Sequence, residues 1–116
     1  MDSAGGAGDP IEVVISTNDH RVTVRIRGDV DAASADHLRA VLDITEDARH
    51  LVVDLSGSAF VDIAGMRAIA RCARRRRTIG RELVVAAPPP SAETILRMTP
   101  WHRYVRWEPR EPTDDG

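Results

Sequence analysis

The hydrophobic period of this chain changes several times, and the order of those changes constrains the fold more than any other feature. Arg21-Val22-Thr23-Val24-Arg25-Ile26-Arg27 alternates strictly. Alternation turns Val22, Val24 and Ile26 to one side of an extended strand and the arginines and Thr23 to the other. Ile11, Val13 and Ile15 show the same period just upstream, and Asn18-Asp19-His20 between the runs carries turn chemistry. The opening therefore predicts a β-hairpin with one buried face. From Asp31 the spacing becomes three and four: Ala35, Leu38, Val41 and Leu42 share one helical face. Asp31 or Ser34 is placed to cap this helix, which is expected to run to about Glu46.

Leu51-Val52-Val53-Asp54-Leu55 is a short, nearly continuous apolar run and reads as a central strand covered on both faces. After the loop from Ser56 to Val61, Asp62 can cap a second helix with the core stripe Met66, Ile69, Ala70 and Ala73, ended by Gly80. Leu83 to Ala87 reads as a further buried strand, and Pro88-Pro89-Pro90 breaks the chain. Ser91 is placed to cap a short third helix carrying Ala92, Ile95 and Leu96, which Pro100 stops. Tyr104 to Trp107 is an expected edge strand. The order β-β-α-β-α-β-α-β defines an α/β fold, with helices packed against a mixed sheet through parallel, right-handed crossovers. Residues 1–10 and 108–116, polar and rich in Gly or Pro, are expected to be disordered tails around a domain at 11–107.

With 116 residues the chain has room for one such domain. No apolar stretch approaches the roughly 20 residues of a membrane span, so no membrane partner is expected. The first ten residues lack the basic start and apolar centre of a secretory signal, so the expected location is cytoplasmic. A lone Cys72 leaves no internal disulfide, and the histidines His20, His37, His50 and His102 lack metal-ligand spacing. Phosphate-binding glycine loops and nucleophile elbows are absent as well. No cofactor, no metal and no enzymatic activity are expected.

All 16 basic residues are arginine, and the formal net charge is -2. Six acids lie in the tails (Asp2, Asp9, Glu108, Glu111, Asp114, Asp115) against Arg110 alone, which leaves 15 Arg and 12 acids between Pro10 and Trp107, a net of +3. Arg74-Arg75-Arg76-Arg77, with Arg67, Arg71 and Arg81 around it, is read as the solvated face of helix two, where the helix dipole favours cations. Nucleic-acid binding is the disfavoured rival, because base-stacking aromatics are nearly absent from this stretch of sequence.

Three segments together carry a family resemblance. Gly28-Asp29-Val30-Asp31, followed by Ala35 and Leu38, resembles the Gly-Glu-Leu-Asp turn into helix one of STAS domains. Val52-Val53-Asp54-Leu55-Ser56, then Phe60-Val61-Asp62 and Gly65, resembles the family's buried strand, loop and helix-two start. Gly80, the strand from Leu83 to Ala87, a proline turn and a helix at Glu93 to Met98 complete the ordered set. The resemblance spans about Ile11 to Trp107 and is to the bacterial anti-sigma factor antagonists.

What the resemblance implies is a protein-binding regulator. In the family, a serine in an Asp-Ser-Ser-Gly or Asp-Ser-Thr-Gly loop is phosphorylated by a partner serine kinase of the histidine-kinase-type ATPase fold, which is also the anti-sigma factor. Here that loop reads Asp62-Ile63-Ala64-Gly65, so no phospho-acceptor stands at the family position. Ser56 and Ser58 precede it and do not inherit the role. The candidate partner-binding residues are Asp29, Asp31, Ser56, Ser58, Asp62, Ile63, Ala64, Gly65 and Met66. They form a helix N-terminus beside a buried strand, with an apolar patch expected from Ile63, Ala64 and Met66. The bland alternative makes Asp62 only a cap and Ile63 only a core or staple residue. A STAS subunit of a transporter ATPase or stress-signalling complex is the second functional reading, and a homodimer is a further partner the resemblance allows.

Overall fold

The computed structural model describes residues 11–109; the two expected tails therefore lie outside the described residues, apart from Glu108 and Pro109. The elements run β1 (Glu12–Asn18), β2 (Arg21–Arg27), α1 (Ala32–Ile44), β3 (His50–Gly57), α2 (Ile63–Arg77), β4 (Leu83–Ala86), α3 (Pro90–Met98), a 3-10 turn (Pro100–Arg103) and β5 (Arg106–Glu108). Glu108, read as the start of the tail, closes β5 instead. Among the described residues no helix is long and apolar enough to cross a membrane.

The five strands lie in the sheet in chain order, β1-β2-β3-β4-β5. β1 and β2 pair antiparallel, with Asp19 in the turn at φ 51, and the remaining neighbours pair parallel. Three right-handed crossovers between successive neighbours put α1, α2 and α3 on the same face of the sheet. Burial follows: Val24, Ile26, Leu51, Val53, Leu55, Leu83 and Val85 are buried against Leu38, Leu42, Met66, Ile69 and Leu96.

This one-sided layering corrects two expectations. β3 is not covered on both faces; Val52 and Asp54 point to the open face and are only half-buried. Their cover is the adjacent strands, since Thr23, Val52 and Val84 are in register across β2, β3 and β4. In β1 the apolar face is buried only at its start: Ile11 is 5% exposed, Val13 half-buried and Ile15 43% exposed. The strand is at the sheet edge, where the helical layer gives out.

The caps explain the boundaries. Asp31 accepts from Ser34 N at 3.0 Å while Ser34 Oγ accepts from Asp31 N at 3.0 Å, so both expected candidates act in one capping box. α1 stops at Ile44, two residues before the expected Glu46, where Thr45 turns its hydroxyl back onto Val41 O at 3.0 Å. Gly80, at φ 74, takes the left-handed conformation after α2. α3 starts on Pro90, whose missing N–H is harmless in the first turn. Ser91 is therefore not its cap; the Ser91 hydroxyl accepts from Val61 N at 3.0 Å.

The arginine run is not one solvated face. Arg76 is fully buried and donates to three backbone carbonyls, Glu82 O, Glu46 O and Arg49 O. Arg81 donates to Asp47 O, and Arg75 bridges Asp43 and Glu46 at 2.9 Å each. These side chains tie the C-terminal end of α2 to the α1–β3 connection.

Candidate functional site

The two loops at the carboxyl end of β2 and β3 are held as a pair. Gly28, at φ 102, donates to Gly57 O at 3.0 Å, and a side chain at Gly57 would meet Ile26 O at 2.9 Å. Beyond this close approach Val30 and Val61 form an isolated parallel bridge. Val30 N donates to Phe60 O at 3.0 Å and Asp62 N to Val30 O at 2.9 Å. Asp29 Oδ1 accepts from Phe60 N at 3.1 Å. Asp62 Oδ1 accepts from Ala64 N and Gly65 N at 3.0 and 3.1 Å, which fixes the start of α2.

This places the expected site residues unequally. Ile63 is 50% exposed at the helix start, so it is neither core nor staple, and Ala64 is partly exposed beside it. Asp29 is exposed on the β2–α1 loop and Ser56 near the end of β3, where the sequence had put a loop, with Asp31 and Asp62 half-exposed at the two caps. Met66 has no exposed surface and leaves the docking patch, because its position three residues on turns it into the core. Gly65 is buried too; a Cβ there would lie 2.6 Å from Val30 Cγ1 and 3.0 Å from Val61 Cγ1. Its close approach is to the molecule's own β2–α1 loop. Ser58 is 6% exposed and donates to Ile26 O at 3.3 Å, so it also belongs to the interior.

Phe60, 47% exposed, is the residue sequence reasoning missed as a contact. The signal was present: it is the only phenylalanine of the chain and lies in a polar loop. With Phe60 in place of Met66, the exposed end of the sheet is an apolar pair, Phe60 and Ile63, flanking the Asp62 cap, with Asp29 beside Phe60. Such a surface can bind another protein, since hydrogen bonds between the two loops hold its backbone and its apolar side chains are already out of the core.

The chemistry elsewhere is quiet. Burial pushes the Cys72 thiol up to about 11, against the pull of Arg75 and Arg76, so the sulfur stays protonated at neutral pH. All four histidines are exposed. Among the described residues no group of three or more His, Cys, Asp or Glu could hold a metal ion.

The mixed sheet, one-sided helical layer and hydrogen-bonded, partly apolar loop end define a class of small α/β domains. Within that class the STAS domain family matches residues 11–113, and the chain belongs to that family. The fold is similar to that of an anti-sigma factor antagonist from Mycobacterium paratuberculosis, with TM-score 0.71 and 21% identity over 90% of this chain and 89% of that one. It is similar to the anti-sigma factor antagonist SpoIIAA in its unphosphorylated form, with TM-score 0.68 and 13% identity over 90% and 92% of the two chains. The Bacillus cell fate determinant SpoIIAA in the phosphorylated form matches with TM-score 0.67 and 12% identity over 84% and 91%.

Proposed function

We propose that this chain is a non-enzymatic binding module of the anti-sigma factor antagonist type, which docks an anti-sigma factor kinase of the histidine-kinase-type ATPase fold in the cytoplasm without a serine switch. The observation that carries the reading is the α2 N-terminus, where Ile63 is half-exposed between Phe60 and Ala64. A phosphorylated serine would bring a charge of about -1.5 to -2 and three acceptor oxygens to such a contact. Neutral Ile63 keeps the surface in the form that unphosphorylated antagonists present, so binding is constitutive and governed by abundance.

The test is calorimetric titration of a partner recovered by pull-down. Ile63→Glu is expected to weaken binding by about 2 kcal/mol, roughly thirtyfold, by placing a desolvated charge at the contact. Ile63→Val should cost little. A folded Ile63→Glu variant that binds like the parent rules out this docking surface. Co-purification of a transporter ATPase in place of a kinase would favour the reading as a subunit of a larger STAS assembly.

A further inference from the structure

Three of the chain's four aromatic residues, Trp101, Tyr104 and Trp107, gather beside the outward arginines of α2, although little in the sequence around Arg67–Arg77 announces them. A cleft of about 350 Å³ opens between Arg77, His102, Arg103, Tyr104, Arg106 and Trp107. A second, of about 190 Å³, lies between Arg67, Arg71, Arg74, Trp101 and Tyr104. Tyr104 lines both, and the Arg74 guanidinium sits 5.6 Å over its ring.

We propose that this α2–β5 side is a second docking site, which takes a short acidic and partly apolar segment of a partner protein. It goes beyond the reading of the α2 N-terminus and does not depend on it. The two clefts hold six arginines and one carboxylate, Glu82, which bridges Arg106 at 3.3 Å. Arg77 donates to Arg103 O at 2.8 Å, which anchors one guanidinium at the cleft wall. Among the described residues, Arg67, Arg71 and Arg103 have no carboxylate within salt-bridge distance. Arg75, Arg76 and Arg81, by contrast, are all bonded inward. The outward set repels itself, and Glu82 on Arg106 is the one ion pair in the two clefts among the described residues, so an external anion supplies the charge that Arg67, Arg71 and Arg103 lack.

The mixture of Trp, Tyr and Arg is that of interface hot spots: rigid rings supply apolar area and guanidinium forks take carboxylates in pairs. A short segment fits better than a nucleic-acid strand. The chain is acidic overall, at -2, and the groove that continues past Arg67 and Arg71 is lined by Asp36. A long polyanion would meet that carboxylate; a few residues would not.

The probe is a short fluorescein-labelled peptide of alternating Glu and Leu, titrated by anisotropy beside a Gln-Leu peptide and an oligo-dT strand. The parent chain is expected to bind the Glu-Leu peptide, to prefer it over the Gln-Leu peptide, and to lose affinity as salt rises. Arg71→Gln with Arg103→Gln should weaken binding by at least about tenfold with an unchanged circular dichroism spectrum. If the double variant misfolds, the peptide preference and salt dependence of the parent decide alone. Absence of binding or of that preference overturns the proposal, as does equal binding by a folded double variant. Tighter binding of oligo-dT, lost in the double variant, would make the surface a nucleic-acid site and also overturn it.

Discussion

Arg76 is a guanidinium in the core whose partners are carbonyl dipoles, so removing it breaks three partly buried hydrogen bonds and leaves a void beside Cys72. Arg76→Gln is expected to destabilise the fold by about 3 kcal/mol, read as a lower urea midpoint, because a hydrogen bond made by a charged group contributes about 1.5–3 kcal/mol and more than one is lost. Gly65 tests packing in the opposite direction. Alanine there gains up to about 1 kcal/mol of helix propensity, but its methyl group would meet Val30 Cγ1 at 2.6 Å, and overpacking costs about 1–3 kcal/mol. Gly65→Ala should therefore lose stability overall in the same measurement, and a gain would show that the β2–α1 loop yields at little cost. Both residues were visible in the sequence, Gly65 within the motif and Arg76 within the run. Their directions were not, since an arginine's burial depends on carbonyls at Glu46, Arg49 and Glu82 that only folding brings to it.

At the scale of elements, the period of the strands and the caps of α1 and α2 were legible because they are written locally: alternation in Arg21–Arg27, a capping box at Asp31 and Ser34, an aspartate at 62. The sidedness of the sheet was not. Leu51–Leu55 looks apolar on both faces, yet Val52 is shielded by Thr23 and Val84 in register, and Asp54 marks the open face. Burial pushes the Asp54 carboxyl up. The Ser56 backbone and hydroxyl, with Arg25 at 3.1 Å, more than offset this and hold it below the ordinary 3.8. A carboxylate with a lower pKa in the folded state stabilises the fold fully above its unfolded value and loses that contribution as pH falls through about 4 toward the folded value. Asp54→Asn should thus be less stable than the parent at neutral pH, with the gap in melting temperature closing on acidification below about pH 4. A gap independent of pH would assign the loss to packing alone.

Taken as a whole, the molecule offers a kinase little to modify at the end where α2 begins. Ile63 and Ala64 have no oxygen nucleophile, the Ser58 hydroxyl is buried on Ile26 O, and the Ser91 hydroxyl accepts the Val61 N–H. Ser56 is the exposed hydroxyl near the site, but it lies within β3, in alternation with Val52 and Asp54 on the open face of the sheet. A phosphate there would lie outside the contact made by Phe60 and Ile63. Incubation with a cognate kinase and ATP, followed by intact-mass spectrometry, is therefore expected to leave the chain unmodified while the complex persists. Stoichiometric phosphate on Ser56 that releases the partner would show instead that the switch has moved along the loop. Control by abundance would then give way to control by a phosphatase.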